Sequence, residues 1–211
     1  LWMNWKQKKR RDRSHAKSAP LRELLQILFY GNSALRDIPL SAAGIAQLRQ
    51  ADFAPEVVYI TPLQRTAQTA RVFFPGAKLI PVDGLKEMNF GRFEGQTFVQ
   101  VEQDPEYLAW VQENEHAAHP DGERRSDFCN RVCKTLADLI DKALAEGQER
   151  LGIVAHGGTQ MAALERFGVP RRSFHDWCGP NAGGYVLDAR DWPEQHILHL
   201  VETVQYTKEN G

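Results

Sequence analysis

Brief apolar runs alternate along this chain with longer segments in which apolar residues recur every three or four positions. The runs at 57–60, 78–82 and 151–155 are rich in branched aliphatic residues, and they predict buried strands. The three-to-four spacing predicts helices, and two later runs predict final strands, the second of them with partial alternation. The predicted helices span residues 41–50, 61–72, 105–113, 123–146 and 157–167, and the final strands span 185–187 and 197–204.

Strands and helices that alternate at this spacing are typical of βαβ units, so the predicted fold is α/β, a three-layer α/β/α sandwich around a mostly parallel sheet. The chain has 211 residues, of which 42% are apolar and 25% charged, which is ordinary for a globular domain and excludes a coiled coil. We expect one domain over residues 21–211. In such sheets ligands bind beyond the carboxyl ends of the strands.

The net charge of -1 conceals an uneven distribution, because residues 1–40 carry nine Lys or Arg against three acids. This basic segment, concentrated at 6–17, is typical either of an arm that contacts nucleic acid or of a solvated, poorly ordered terminus. The sequence favours the second interpretation for residues 1–20, so nucleic acid is not the expected partner. No apolar run is long enough to cross a membrane, and the oligomeric state stays open.

Three cysteines cannot all pair with one another, so we expect reduced thiols and a cytoplasmic protein. Cys129 and Cys133 fall on the apolar side of the longest predicted helix and are interpreted as packing residues. The histidine and cysteine pairs are scattered and show no four-ligand spacing, so neither a metal nor a cofactor is predicted.

Three polar segments stand where a strand gives way to the next element. His156 ends an apolar run and is followed by Gly157 and Gly158, which would let the backbone and a helix start approach an anion. Arg65 lies in the first turns of a predicted helix, and a guanidinium suits bidentate recognition of phosphate. Glu87 lies among aromatic residues and glycines, and it could be a proton donor if apolar neighbours raise its pKa.

Taken together, segments between residues 37 and 189 resemble the histidine phosphatase superfamily, the phosphoglycerate-mutase-like phosphatases. The family's S-P-L-x-R-x-x-Q-T-A segment is matched through Arg65, with threonine in place of the first serine, and its L-x-E-x-x-F-G-x-x-E-G segment is matched through Glu87. His156-Gly157-Gly158 resembles the second catalytic histidine. Further segments that resemble the family are Asp37 to Gly44, Pro120-Asp121-Gly122-Glu123 with Phe128 and Arg131, and residues 180–185. The sequence of residues 180–185 is similar to that of α-ribazole phosphatases.

The resemblance implies a reaction in which a histidine after the first strand attacks phosphorus and forms a phosphohistidine that water then hydrolyses. It further implies that Glu87 protonates the leaving oxygen, that Arg65 and His156 bind the phosphoryl oxygens together with Gly157, and that no metal is needed. The substrate would be a small phosphorylated metabolite. Hydrolysis is favoured over a mutase outcome because no segment is clearly an insertion that would close over the intermediate.

The amino-terminal end departs from the family, because no Arg-His-Gly occurs in the chain. One placement puts the nucleophile at His15, in a segment that resembles an R-H-A-K-S variant with an inserted serine. The other uses residues 24–29 as the apolar strand, with Phe29 and Tyr30 where arginine and histidine belong. Two functions therefore stay open: a phosphomonoesterase, or a catalytically impaired member that binds a phosphorylated ligand or partner.

Overall fold

Seven strands form one sheet within the part of the chain that the computed structural model describes, residues 24–29, 37–96, 98–112 and 121–208. The strands at 57–60, near 78–82 and near 151–155 confirm the sequence prediction, as do the two final strands. The strand at 168–169 was not predicted, because two residues are too few to show an apolar pattern. The strands are β1 Leu24–Phe29, β2 Val57–Ile60, β3 Lys78–Pro81, β4 Arg150–Ala155, β5 Gly168–Val169, β6 Gly183–Asp188 and β7 Leu198–Gln205.

The five predicted helices are present, most of them with shifted ends, and two four-residue helices, at 98–101 and 192–195, were not predicted. In chain order the helices are α1 Ala42–Gln47, α2 Gln64–Phe73, α3 Phe98–Val101, α4 Pro105–Gln112, α5 Arg125–Ala145, α6 Gly157–Phe167 and α7 Trp192–Gln195. Single 3-10 turns span Asp83–Leu85, Gly91–Phe93 and Phe174–Trp177.

Local hydrogen bonds explain where the first two helices begin and end. Ser41 caps α1 by accepting from the Gly44 N–H, as predicted, but the helix ends earlier than residue 50 because Leu48 turns extended and bridges to Thr207. α2 starts at Gln64 and not at residue 61, and the Asp37 carboxylate accepts from the Gln64 backbone N–H. A side chain from an earlier segment thus supplies the cap that Leu63 lacks.

The sheet has the strand order β3-β2-β4-β1-β6-β7-β5, and it is parallel from β3 through β1. β6 runs antiparallel to β1, and β7 runs antiparallel to β6, while β5 is parallel to β7. The connection from β6 to β7 is too short for a parallel crossover, which needs about a dozen residues or more. The predicted, mostly parallel sheet is confirmed, with an antiparallel extension.

Alternate residues of the central strands supply two hydrophobic cores, one on each face of the sheet. Val58 and Val154 pack in the cluster with Ala70 and Phe73 of α2. Tyr59 and Ile153, each adjacent in the sequence to one of these valines, pack in the larger cluster with α5 and α6. The buried helical members of that cluster include Phe128, Leu136, Ile140 and Leu164. This period of two places helices on both faces, as a three-layer sandwich requires.

The topology brings the ends of three strands to one edge. β2 and β4 are parallel neighbours and are followed directly by Thr61 and His156. β1 pairs with β4 so that Phe29 lies opposite Ala155. The last residue of β1 is therefore beside the last residue of β4, directly before His156. The strand at 24–29 is therefore confirmed, whereas His15, Tyr30 and the basic segment 1–20 lie outside the described residues. No described helix is long and apolar enough to cross a membrane.

We expect Leu136→Ala to lower the free energy of unfolding by about 2–5 kcal/mol, because it removes a buried side chain from the larger core and leaves a cavity. Leu108→Ala is the matched control: Leu108 is 41% exposed and its loss should cost less than about 1 kcal/mol. Urea unfolding of both variants measures the difference, and equal losses would contradict the assigned core.

Candidate active site

Three residues singled out in the sequence meet at the carboxyl edge of the sheet. Arg65 is the second residue of α2, Glu87 follows the turn after β3, and His156 joins β4 to α6. Arg65 and Glu87 are each 3% exposed, and His156 is fully buried. Charged side chains are rarely buried to this extent without partners, so the cluster is a built site and not a surface accident.

His156 and Arg65 are in direct contact, with an Arg65 guanidinium nitrogen 3.3 Å from His156 Nδ1. Burial of the imidazole, together with the nearby Arg65 charge, lowers the pKa of His156 from 6.5 to about 3. The imidazole is therefore neutral at physiological pH, and the Arg65 guanidinium is the positive charge of the pair.

The Glu87 carboxyl group closes the other side of the cluster. One oxygen accepts from the Gly158 N–H at 2.9 Å, and the other accepts from the Met88 N–H at 3.0 Å. Burial raises the pKa of Glu87 above its usual value, although these two hydrogen bonds and the Arg65 and Arg131 charges oppose the rise. A raised pKa favours the protonated carboxyl group, which is the form that can donate a proton.

Gly158 has a specific steric reason to be glycine. A Cβ at this position would collide with the Glu87 carboxyl group, whose oxygens approach the backbone at the start of α6. From the sequence, these glycines were expected to let a ligand approach, but at Gly158 the approaching group is Glu87. Gly157, expected to contact substrate, is the first residue of α6 and lies between His156 and this contact.

Arg131 of α5 fixes the loop that carries Glu87. Its guanidinium donates to the carbonyl oxygens of Gly84 at 3.0 Å and Lys86 at 3.1 Å, and it is paired with both carboxylate oxygens of Glu123 at 2.8 and 2.9 Å. Arg131 and Glu123 belong to a segment that resembles the family, but no role was predicted for either side chain from the sequence. The fork of donors on Arg131 can bind a carboxylate and two carbonyls at once, and this ties the loop to the longest helix.

Thr61 is the second site residue whose role the sequence analysis missed. Its Oγ1 lies 3.0 Å from His156 Nε2 and 3.1 Å from Thr66 Oγ1, and both threonines are fully buried. The available signal was its position directly after β2, the neighbour of the strand that ends at His156. Neither the hydroxyl contact nor its partner could be read from that position alone.

Other polar residues of the loop after β3 have structural partners. The Glu94 carboxylate accepts from the Phe90 N–H, and Arg92 pairs with Asp104 and Glu106, so both order the loop. Cys133 is buried on α5, and none of the three cysteines forms a disulfide. Across the residues described here, no three His, Cys, Asp or Glu side chains are grouped to hold a metal ion.

We expect Glu87 and His156 to affect stability in opposite directions as the pH falls. The unfolded chain binds a proton at His156 below about 6.5 whereas the folded chain does so only near 3, so acid destabilises the fold through His156. Because burial raises the pKa of Glu87 in the folded state above 4.5, the folded chain takes up this proton at a higher pH than the unfolded chain. Protonation of Glu87 therefore stabilises the fold as the pH falls toward 4.5.

Glu87→Gln should therefore steepen the loss of stability as the pH falls from about 6.5 toward 4.5, with a limit of about 1.4 kcal/mol per pH unit. His156→Gln should make the slope less positive than that of the wild type. Urea unfolding at several pH values measures both slopes, and the remaining histidines are common to all three proteins. Parallel pH profiles for the three proteins would contradict these protonation states.

Arg131→Met should lower the free energy of unfolding by about 2–3 kcal/mol, since it removes donors to two carbonyls and leaves Glu123 without its partner. The control is Arg124→Met, an exposed arginine just before α5, which should change stability by no more than about 0.5 kcal/mol. Chemical denaturation is the measurement. An equal effect at the two positions would mean that Arg131 does not hold the loop.

Several solved structures share this fold. The α-ribazole phosphatase from Shigella flexneri aligns with a TM-score of 0.72 at 22% identity, over 89% of this chain and 98% of that chain. A phosphoglycerate mutase from Thermus thermophilus aligns with a TM-score of 0.60 at 23% identity, over 86% and 98%. A mycobacterial glucosyl-3-phosphoglycerate phosphatase aligns with a TM-score of 0.65 at 21% identity, over 88% and 99%. At these identities the likeness shows a shared, phosphoglycerate mutase-like fold.

Sequence comparison adds a curated relative and a family. The relative, from Hydrogenobacter thermophilus, is named "Putative phosphoserine phosphatase 2" and is 29% identical over 114 residues, which are 52% of this chain. The match spans about half of that relative, 54% of its length. The family is the histidine phosphatase superfamily (branch 1), whose sequence profile matches residues 31–200 and so includes Arg65, Glu87 and His156. With most of its length matched, and with the fold and the residue cluster in agreement, this chain belongs to the histidine phosphatase superfamily.

Proposed function

We propose that this protein is a phosphomonoester hydrolase that acts through a phosphohistidine intermediate on a small phosphorylated metabolite. One observation carries the proposal: a buried guanidinium, a neutral imidazole and a carboxyl group with a raised pKa converge at the carboxyl edge of the sheet. This is where α/β folds bind ligands, and the family membership points to phosphoryl chemistry there.

Arg65 supplies positive charge where a phosphoryl group would gain negative charge. Its side chain is held at the start of α2, whose backbone dipole adds to the positive potential. In a site with little water, preorganised donors of this kind stabilise charge that develops in the transition state without having to reorganise. His156 is held beside Arg65, so its Nδ1 would face the same oxyanion and could donate to it after taking up a proton.

Glu87 suits the role of general acid. A departing alkoxide needs a proton, and burial raises the pKa of this carboxyl group toward the range in which it retains one. After the leaving group departs, the ionised carboxylate can accept a proton from the water that attacks the phosphohistidine. The hydrogen bonds from Gly158 and Met88 stabilise that ionised form.

The proposed nucleophile is His15. The sequence places it nine positions before the first residue of β1, and nine extended residues can span about 30–32 Å. This exceeds the length of a six-residue strand, about 20 Å, so the connection is long enough for His15 to reach the carboxyl edge. Tyr30, the residue that directly follows β1, offers no imidazole.

A substrate screen follows from the relatives. Their names give α-ribazole 5′-phosphate, glucosyl-3-phosphoglycerate and phosphoserine as phosphatase substrates, all of them small molecules. We propose a substrate of this class, and these three phosphomonoesters are the first to assay, with release of inorganic phosphate as the readout.

The test of the reaction uses p-nitrophenyl phosphate and an acid-quench search for phosphorylated protein. We expect turnover and an acid-labile phosphoenzyme in the wild type. Arg65→Lys should lower kcat/KM by about 10²–10³-fold, since it replaces a fork of donors with a point charge. Glu87→Gln should lower it by about 10²–10⁴-fold, with the larger loss for poorer leaving groups.

His15→Ala should abolish the phosphoenzyme, and His199→Ala is the matched control. His199 stands opposite Asp188 of β6, which pairs with Leu24 at the beginning of β1, so it lies at the far edge of the sheet from the site. A label that survives His15→Ala would reject His15 as nucleophile. Absence of turnover and of label in the wild type would leave the impaired member that only binds a phosphorylated ligand.

A further inference from the structure

We propose that Thr61 is a positioning residue: its hydroxyl holds His156 as the tautomer that carries its proton on Nε2, with the Nδ1 lone pair facing Arg65. The inference extends the proposed function to a residue outside the Arg65, Glu87 and His156 cluster. Its first test, on the ligand-free protein, does not depend on that function.

The tautomer follows from the chemistry of the two contacts. A guanidinium has only donors, so the Arg65 nitrogen 3.3 Å from Nδ1 must donate to it, and Nδ1 must carry a lone pair. A neutral imidazole with a lone pair on Nδ1 has its proton on Nε2. That proton faces Thr61 Oγ1 at 3.0 Å, a normal hydrogen-bond distance.

The donor and acceptor roles of the two threonine hydroxyls also follow by elimination. If Thr61 Oγ1 accepts from His156, its own hydroxyl proton is directed to Thr66 Oγ1 at 3.1 Å. The Thr66 hydroxyl then donates to a backbone carbonyl, that of Leu63 at 2.8 Å or of Thr61 at 2.9 Å. Each proton has one acceptor, and the series ends at a backbone oxygen that needs no further partner.

The same hydroxyl serves His156 when an oxyanion is bound. If the ligand attracts a proton to Nδ1, the ring becomes imidazolium and Nε2 keeps its proton, so Thr61 Oγ1 still accepts from it. The ring orientation is therefore the same before and after the ligand binds. A serine could do this equally well, whereas valine has nearly the same shape and would leave a buried N–H without an acceptor, which is costly.

Nitrogen-15 NMR of the histidine ring, with His156 assigned by its absence in His156→Gln, tests the tautomer directly. In the ligand-free wild type at neutral pH we expect a protonated Nε2 and an unprotonated Nδ1, with the same pattern in Thr61→Ser. Thr61→Val should shift the Nε2 signal, because that proton loses its acceptor while Arg65 still faces Nδ1, or should mix the two tautomers. A protonated Nδ1 in the wild type overturns the proposal without reference to any variant, as does a Thr61→Val spectrum equal to that of the wild type.

Thr69→Val provides the matched control. Thr69 is also fully buried, and its hydroxyl donates to the Arg65 carbonyl within α2, away from the imidazole. The same substitution there should leave the His156 signals unchanged. If both valine variants shift those signals equally, the effect is general repacking and the positioning role is rejected.

A second, kinetic test depends on the proposed phosphatase activity. Thr61→Val should lower kcat/KM for p-nitrophenyl phosphate by about tenfold or more, with Thr61→Ser close to the wild type and Thr69→Val unaffected. If Thr61→Val and Thr69→Val lose activity equally, the positioning role is wrong. If the wild type itself shows no turnover, the proposed function fails, and the NMR result alone decides the role of Thr61.

Discussion

The contact between Arg65 and His156 is the constraint on which the rest of the site depends. A permanent positive charge with 3% exposure is held against an imidazole whose pKa has fallen to about 3. Burial of charge is unfavourable unless the surroundings hold it in place. The fold keeps this arrangement because β2 and β4 are parallel neighbours, so the elements that follow them cannot separate.

The remaining side chains fix the geometry around this pair. Thr61 meets the far nitrogen of His156, and Glu87 lies against the start of α6, two residues beyond that histidine. Arg131 in turn anchors the Glu87 loop to α5 by its bonds to backbone carbonyls. Three different helices thus bear on one cluster, and the groups that would contact a phosphoryl group are ordered before any ligand arrives, which is the requirement for electrostatic catalysis.

The burial of each side chain in this cluster determines the direction in which its pKa shifts. The imidazole and the carboxyl group are both driven toward their neutral forms by burial, and their effects on the pH dependence of folding oppose each other. Arg65 contributes to both pKa values, lowering that of His156 and opposing the rise at Glu87. The site is therefore poised with one fixed cation, one neutral base and one carboxyl group that tends to keep its proton.

The sequence by itself determined the elements and the candidate residues. Short branched runs predicted β2, β3 and β4, the three-to-four spacing predicted α5 and α6, and residue types at the strand ends singled out Arg65, Glu87 and His156, since these signals are local in the chain. Only the tertiary structure decided that Gly158 makes room for Glu87, that Thr61 meets His156, and that Arg131 holds the loop. Those contacts join residues 44–95 positions apart in the chain, so no periodic pattern encodes them, and they exist only once the strands have paired.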